Sequence, residues 1–159
     1  MVRSICDISD DNPGKVRTAK PLFRHFGVRS KFHGPITTIR CHEDNALLKQ
    51  VLGTPGRGQV MVVDGGGSLD RALFGDVLGS LLRDNDWAGI VINGAVRDVE
   101  NLKTMPVAVR ALAVCPTMPL KLGTGERDVS VTFAGVTFVP GHWLYADENG
   151  IIVSEINLD

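Results

Sequence analysis

The sequence has few of the features that mark secreted or membrane-spanning proteins. It holds three cysteines in 159 residues, Cys6, Cys41 and Cys115, and none of them forms a Cys-x-x-Cys pair. An odd number of dispersed cysteines suits neither a disulfide framework nor a zinc site, so we expect reduced thiols and a cytoplasmic protein. No apolar run approaches the roughly 18 residues of a membrane-spanning helix, and the N-terminal stretch lacks a signal-peptide core. We therefore expect no membrane association.

An excess of charge of one sign is also missing. The chain has 17 Lys and Arg residues against 18 Asp and Glu, a net charge of −1, and its basic residues are scattered. A protein that contacts nucleic acid directly usually carries a basic stripe, so no direct nucleic-acid contact is expected. What the chain does have is 43% hydrophobic residues, enough for a sizeable core. The length and composition predict one soluble domain that spans residues 1–159.

Short apolar runs alternate with helical patterns in the first two thirds of the chain, and turn signals dominate the last third. This order predicts an α/β fold with a mixed β-sheet core flanked by helices. The predicted strands are residues 35–41, Val60–Asp64, 89–94 and 107–114. The predicted helices start at Asp44 or Asn45 and end at Gly53, cover residues 75–83, and include a short one at Val99–Leu102. Two hairpins are predicted, at residues 131–139 and around the turn 148–150.

Gly75 and Asp76 stand at the predicted start of the second helix. The first amides of a helix have no intrahelical acceptor, and together with the helix dipole they form an anion site. A substrate carboxylate would therefore fit the backbone from Gly75 through Val77 to Leu78. The alternative is that Asp76 is only a favourable charge at a helix N-terminus.

Arg97 and Asp98 follow the apolar strand at residues 89–94. Arginine presents a planar fork of donors that matches a carboxylate, and aspartate is a hard oxygen ligand for Mg²⁺ or Mn²⁺. The alternative is a surface arginine beside an aspartate that caps the short helix. Twenty residues separate Asp76 from Arg97, which is room for one helix and one strand. We expect both loops to meet in one crevice, where a metal and positive charge would stabilise an enolate.

The pattern Asp76…Arg97-Asp98 resembles the signature of the class II pyruvate aldolases that act on 4-hydroxy-4-methyl-2-oxoglutarate and 4-carboxy-4-hydroxy-2-oxoadipate. From the segment PLFRHFG at Pro21 to the segment LYADENGIIVSE, the chain resembles the RraA-like family, named for the regulator of ribonuclease activity A. The resemblance implies a swivelling β/β/α-type core. It also implies a homotrimer with its sites near the subunit interfaces.

The same resemblance implies a role for each site residue. The backbone from Gly75 to Leu78 would bind the substrate carboxylate, and Arg97 would balance the enolate charge. Asp98 would ligate Mg²⁺ or Mn²⁺, and Asp76 would hold a metal-bound water for proton transfer. The implied reaction is retro-aldol cleavage of 4-hydroxy-4-methyl-2-oxoglutarate, a small 2-oxo acid, to two pyruvates, with oxaloacetate decarboxylation as a second activity of this lyase.

Three further expectations stand beside this assignment. The longer aldolases carry residues beyond the position of Asp159, including an acidic residue supplied by a neighbouring subunit, so decarboxylation is implied more directly than cleavage of the larger substrate. A second candidate is a regulator without catalysis that binds and inhibits an RNase E-type endoribonuclease. The third is a methyltransferase, because the segment MVVDGGG resembles an S-adenosylmethionine loop, although its glycines are contiguous and Asn93 replaces the acidic ribose ligand.

Overall fold

The computed structural model describes residues 3–159. Strands outnumber helices, and the elements alternate as the sequence predicts. The helices are α1 (Ile5–Asp11), α2 (Ala46–Leu52), α3 (Asp76–Asp84) and α4 (Val99–Leu102). The strands are β1 (Val16–Thr18), β2 (Arg24–Phe26), β3 (Phe32–Arg40), β4 (Val60–Asp64), β5 (Ala72–Phe74), β6 (Gly89–Val96), β7 (Val109–Val114), β8 (Glu126–Arg127), β9 (Val131–Phe133), β10 (Val136–Phe138), β11 (Trp143–Asp147) and β12 (Gly150–Ser154).

One mixed ten-stranded sheet organises the molecule, in the order β1-β12-β11-β3-β4-β6-β7-β2, with β5 attached to β6 and β8 to β3. The central strands β3, β4, β6 and β7 are parallel, and antiparallel strands flank them on both sides. Strands β9 and β10 form a separate hairpin. The predicted mixed α/β core is therefore confirmed.

The two faces of the sheet pack against different elements, as the alternating side chains of β4 show. Met61 and Val63 point into the core shared with helices α2, α3 and α4, whereas Val60 and Val62 point into the core shared with the β9–β10 hairpin. Because both faces are covered, β4 is apolar from Val60 to Val63 and β6 is apolar from Gly89 to Ile92, which is typical of parallel strands. No helix within residues 3–159 is long and apolar enough to cross a bilayer.

Most of the predicted elements are present, with shifted ends. Strand β4 matches its predicted bounds, α2 begins after Asn45 and ends at Gly53, and both hairpins form. Strand β3 starts three residues earlier than predicted, and β6 continues two residues beyond Gly94. The turn of the β9–β10 hairpin has positive φ at both Ala134 and Gly135. A pair of positive φ angles is the backbone of the tight turns that match strand twist.

Strand β5 was not predicted, and it determines where the candidate site lies. It pairs in parallel with the end of β6, so that Ala72 is opposite Ala95 and Phe74 is opposite Val96. The chain therefore reaches Gly75 from a strand that neighbours β6 directly. The carboxyl ends of these two parallel strands lie side by side, which is where ligands bind in open α/β sheets.

Candidate functional site

The predicted site residues follow the ends of β5 and β6. Gly75 and Asp76 come directly after β5, and Arg97 and Asp98 come directly after β6. The backbone N–H of Arg97 donates to the carbonyl of Phe74 at 2.9 Å, which joins the two chain segments at this point. The two loops meet as expected, although through β5 rather than directly after β4.

Gly75 caps the N-terminus of α3 and lies against Asp98. A Cβ atom at position 75 would collide with Oδ2 of Asp98, so a side chain here would displace that carboxylate. That same Oδ2 accepts a hydrogen bond from the backbone N–H of Asp76 at 3.1 Å. The carboxylate of Asp98 is thus held against the first turn of α3, and it uses one of the amides predicted to bind substrate.

Asp98 has an unusual backbone conformation for a residue with a side chain. Its φ and ψ are 57° and 37°, in the left-handed region. It occupies the N-cap position of α4 but makes no side-chain cap hydrogen bond, so the alternative role of helix capping is absent. The left-handed backbone instead directs its carboxylate across to Gly75 and Asp76. Strained backbone at a polar residue is a frequent sign of a functional position.

Asp76 is bound by a residue that the sequence analysis missed. The side-chain amide of Asn101, on α4, donates to Oδ2 of Asp76 at 2.8 Å. This hydrogen bond lowers the pKa of Asp76 below its usual value, with burial opposing and the Asp98 side chain adding to the lowering. Asp76 is therefore a carboxylate at neutral pH. Asn101 lies three residues after Asp98, the spacing that places two side chains on one side of a helix.

Arg97 is half-buried, and its guanidinium makes few polar contacts with the rest of the chain. Its Nη1 donates to the carbonyl of Pro116 at 3.4 Å, a weak contact. Among residues 3–159 it forms no ion pair with a carboxylate. Its guanidinium therefore keeps most of its donors for a ligand.

A cavity of about 160 Å³ joins these groups. All six predicted site residues line it: Gly75, Asp76, Val77, Leu78, Arg97 and Asp98. Cavities of about 580 and 450 Å³ lie elsewhere on residues 3–159, and one of about 480 Å³ adjoins the site through Asn45, Lys49 and Lys121; none of these three cavities is lined by any of the six. The small cavity is nevertheless the one where carboxylates, a guanidinium and a helix N-terminus converge.

The lining of this cavity also includes residues that the sequence analysis missed. Asn45 at the start of α2 is buried and donates to the carbonyl of Leu73 at 3.1 Å. Lys49 on α2, together with Pro119 and Lys121 from the segment after β7, completes the wall. No local sequence signal links Lys49 or Lys121 to residues 76–98, because the fold alone brings these segments together. The two lysines make the cavity more cationic than Arg97 alone predicts.

The donor set of the cavity suits a hard divalent cation. Asp76 and Asp98 are its only acidic residues, and within residues 3–159 no group of three or more His, Cys, Asp or Glu side chains is arranged to hold a metal. Mg²⁺ commonly binds through one or two carboxylates and keeps several waters, whereas structural zinc takes four protein ligands. Two carboxylates beside an open cavity therefore fit Mg²⁺ or Mn²⁺.

Comparison with known proteins gives a consistent family. The model of the RraA-like family, described as Aldolase/RraA, matches residues 3–153. A protein of Xanthomonas campestris pv. campestris (strain 8004), provisionally named a 4-hydroxy-4-methyl-2-oxoglutarate aldolase, is 55% identical over 148 residues, which are 93% of this chain and 89% of that protein.

Two solved structures are similar over almost the whole chain. The RNA-processing inhibitor RraA from Thermus thermophilis is 42% identical, with a TM-score of 0.94 over 98% of this chain and 94% of that one. A structure described as an S-adenosylmethionine:2-dimethylmenaquinone methyltransferase from Geobacillus kaustophilus HTA426 is 36% identical, with a TM-score of 0.96 over 98% of this chain and 97% of that one. The names of the relatives thus cover an aldolase, a regulator and a methyltransferase.

Proposed function

Since the chain belongs to the RraA-like family, we propose that it is a divalent-metal-dependent lyase that converts 2-oxo acids through a pyruvate enolate. The provisional aldolase name of a relative at 55% identity supports this activity. The observation that carries the proposal is the convergence of Asp76, Arg97 and Asp98 in one small cavity at the ends of β5 and β6. These are the groups that enolate chemistry requires.

The first turn of α3 binds the C1 carboxylate of the substrate. Asp98 already accepts from the N–H of Asp76, so this carboxylate is bound by other amides of the segment from Gly75 to Leu78. The dipole of α3 adds to their attraction for an anion. The guanidinium of Arg97 lies next to the 2-oxo oxygen, and it stabilises the negative charge that develops there.

The carboxylates of Asp98 and Asp76 have two different roles, metal binding and proton transfer. Asp98 would hold Mg²⁺ or Mn²⁺, and the bound ion would polarise the 2-oxo group as a Lewis acid. Asp76 is ionised and held by Asn101, and it orients a water for proton transfer at C3.

Both reactions break the same bond and leave the same carbon nucleophile. In oxaloacetate, the C3–C4 bond breaks, CO₂ leaves, and the electron pair moves to C3 to form the enolate, which takes a proton to give pyruvate. In 4-hydroxy-4-methyl-2-oxoglutarate, the C4 hydroxyl loses its proton as the C3–C4 bond breaks. C4 then becomes the carbonyl carbon of one pyruvate, and protonation of the enolate at C3 gives the other.

Exchange of the methyl protons of pyruvate in D₂O, followed by NMR, tests enolate formation directly. We expect exchange with Mg²⁺ or Mn²⁺, none with a chelator, and a loss of roughly 100-fold or more in Asp98→Asn. The matched control is Asp10→Asn, at an exposed position on α1. Mn²⁺ binding followed by electron paramagnetic resonance gives a second readout, in which Asp98→Asn should bind more weakly. Chelator-resistant exchange, or full exchange in Asp98→Asn, would disprove the metal mechanism.

Regulation of an RNase E-type endoribonuclease is the second candidate, favoured by the similarity to the RraA structure at 42% identity. Inhibition of such a ribonuclease by the wild-type protein, without any pyruvate exchange, would establish this function in place of catalysis. If Asp98→Asn still inhibits while exchange is lost, the two functions use different surfaces.

Methyl transfer has little support from the loop that would bind S-adenosylmethionine, despite the similarity of the chain to a structure described as a methyltransferase. The amides of Gly65 and Gly67 both donate to the carbonyl of Asn93 at 3.1 Å, and the amide of Gly66 donates to Asp64 at 2.9 Å. The loop that resembles an S-adenosylmethionine motif has therefore used its donors internally.

We also propose that the protein assembles as a homotrimer, as the family resemblance implies. Apolar side chains are exposed beside the site, among them Val77, Met118 and Leu122. Exposed apolar side chains in one region are a common mark of a protein interface. Sedimentation equilibrium should give three times the mass of the chain, and a monomer at micromolar concentration would contradict this assembly.

A further inference from the structure

A cavity of about 580 Å³ lies away from the candidate site, and it shares no residue with the site cavity. Strand β1 and the turn before it contribute Lys15 and Arg17, β10 and the residue after it contribute Thr137 and Val139, and β12 contributes Val153. We name this cavity the β10 groove. We propose that it binds an extended, acidic peptide segment of a partner protein, which adds a strand to the β9–β10 hairpin.

Strand β10 has an open edge along this groove. In the part of the chain that the structure describes, β10 pairs with β9 alone. The hairpin has a two-residue turn closed by Phe133 and Val136, so the backbone groups of the next residue, Thr137, point away from β9. Residues of β10 line the cavity and residues of β9 do not. The N–H and C=O of Thr137 therefore face the groove, where an added strand would pair with them.

The floor of the groove is apolar. Val153 and Val136 are buried and Val139 is half-buried. Val153 belongs to the core that the sheet shares with the hairpin, and Arg17 stands opposite Val153 on β1. Cross-strand partners extend from the same face of a sheet, so Arg17 and the valine floor face the same space. Side chains of an extended segment alternate, so apolar residues at every second position would contact the valines.

The charges of the lining favour an acidic segment. Lys15 and Arg17 are exposed, and neither forms an ion pair within residues 3–159. Arg17 donates only to the carbonyl of Val16, at 3.2 Å. The lining also holds the half-buried His142 and a single acidic residue, the exposed Glu155. An acidic side chain is attracted to the two free cations, whereas a basic side chain is repelled.

The walls of the groove are fixed relative to each other by backbone hydrogen bonds. At the hairpin turn, the N–H of Lys20, just after β1, donates to the carbonyl of Ala134 at 2.8 Å. At the other end of β10, the N–H of His142 donates to the carbonyl of Val139 at 3.0 Å, and the N–H of Ile36 donates to the carbonyl of His142 at 2.8 Å. The open edge is thus preorganised, which reduces the entropy lost when a strand is added.

Selection of peptides with a matched pair of proline variants tests the open edge. Random peptides displayed on phage are selected against the wild-type protein, Thr137→Pro and Thr132→Pro. Proline at position 137 removes the N–H that faces the groove but no hydrogen bond to β9. Thr132 is the cross-strand partner of Thr137, and their hydroxyls are 2.9 Å apart. Thr132→Pro therefore loses the same side-chain contact and an N–H on the opposite edge of the hairpin.

We expect wild type and Thr132→Pro to enrich the same peptides, with Asp or Glu alternating with Val or Ile, and Thr137→Pro to enrich none. The most enriched peptide is then synthesised with a fluorescent label, and its Kd is measured by anisotropy. N-methylation of its alternate amides in one frame should abolish binding to the wild type, and in the other frame should not. This second test does not depend on the folding of a proline variant.

A double variant, Lys15→Gln with Arg17→Gln, tests the charges. Its Kd for the same peptide should rise roughly tenfold. The control is Arg29→Gln with Lys31→Gln, which makes the same change of charge at exposed positions outside the groove and should leave the Kd unchanged.

Four results would overturn the proposal. The first is that no peptide is enriched on wild type over Thr137→Pro, and the second is that the enriched peptides are neutral or basic. The third is displacement of the peptide by glutarate at equal concentration, which would make the groove a site for small anions. The fourth is a smaller oligomer of Thr137→Pro in sedimentation equilibrium, which would mean that a second copy of the chain occupies the edge. None of these results bears on the proposed lyase activity, because the two cavities share no residue.

Discussion

At the scale of single residues, the site depends on one position that has no side chain. Gly75 has an extended backbone, with φ near −152°, which any residue can adopt. Its identity is set by Oδ2 of Asp98, which lies where a Cβ atom would be. Glycine is thus required here for the approach of a carboxylate and not for backbone freedom.

Gly75→Ala should damage activity more than stability. The added methyl group displaces the Asp98 carboxylate from the N–H of Asp76, and a shift of about 1 Å at a reacting group can lower a rate roughly 100-fold. Thermal unfolding should change little, because no backbone strain is introduced. Gly94→Ala is the control, since its Cβ would meet Leu73 at an ordinary 3.4 Å. Full pyruvate exchange in Gly75→Ala would contradict the assigned geometry.

A contact between exposed His25 and buried Arg110, on neighbouring strands β2 and β7, gives a pH-dependent stability. Nη1 of Arg110 lies 2.6 Å from Nδ1 of His25, and since arginine only donates, this Nδ1 must be unprotonated. Burial lowers the pKa of His25, and the charge of Arg110 lowers it further. Protonation of His25 therefore disfavours the folded state.

The free energy of unfolding should decrease as the pH falls below the unfolded-state pKa of about 6.5, because the unfolded chain then binds the proton more readily. His25→Gln keeps an acceptor for Arg110 but does not titrate, so its stability should depend less on pH in this range. Urea unfolding at several pH values measures the difference. His33, whose pKa burial also lowers, is present in both proteins and does not affect the comparison. An identical pH dependence in both would show that this pair is not responsible.

At the scale of elements, a buried carboxylate joins α2 to the segment that carries Lys121. Oδ1 of Asp44 accepts from the N–H of Ala46 at 3.1 Å, and its Oδ2 accepts from Leu122 and from both donors of Thr124. Burial raises the pKa of Asp44, but these hydrogen bonds outweigh it and lower the pKa to about 2. The stabilising effect is complete above the unfolded-state pKa of about 3.9 and is lost as the pH falls towards 2.

Asp44→Ala should lower the free energy of unfolding by about 3 kcal/mol, because it leaves several buried amides without an acceptor. Asp10→Ala, at an exposed position, should cost far less. Urea unfolding near neutral pH measures both. If the two variants were equally stable, the carboxylate of Asp44 would not be holding these elements together.

The sequence predicted the long elements well because their signals are local. The apolar run of β4 and the turn residues of the two hairpins needed no distant information. Strand β5 was missed because it has three residues, and its partners Ala95 and Val96 in β6 lie 22 or 23 residues further along the chain. Leu69, Leu73 and Val77 stand at every fourth position, which is typical of a helix, yet Leu73 lies in β5 and Leu69 is exposed.

In the candidate site too, residues with local sequence signals were predicted and residues brought in by distant packing were not. Gly75, Asp76, Arg97 and Asp98 were predictable because each stands at a strand end or helix start that local patterns reveal. Lys49 and Lys121 were not predictable, since only the packing of α2 and the segment after β7 brings them to the cavity. Nor does any sequence pattern reveal that Asp98 is left-handed and bound to the N–H of Asp76.

At the scale of the whole molecule, the sheet joins both ends of the described chain. Strand β1 pairs with β12, with Val16 opposite Ser154, and the N–H of Ile5 donates to Oδ2 of Asp147 at 3.0 Å. The strands that carry the site lie in the middle of this sheet. Elements that share one continuous sheet and cores on both of its faces are expected to unfold together.

We therefore propose that the chain is one cooperative unit, and we expect a single unfolding transition. Trp87 is buried in the core beneath the helices, and Trp143 packs against the core beneath α1, so each reports on a different part of the molecule. In Trp143→Phe the fluorescence follows Trp87, and in Trp87→Phe it follows Trp143. In each variant the fluorescence and far-ultraviolet circular dichroism transitions in urea should coincide at a fixed protein concentration. Separate midpoints for the two probes would instead mean that the region around α1 and β12 unfolds independently of the sheet centre, and the site would then be expected to survive its loss.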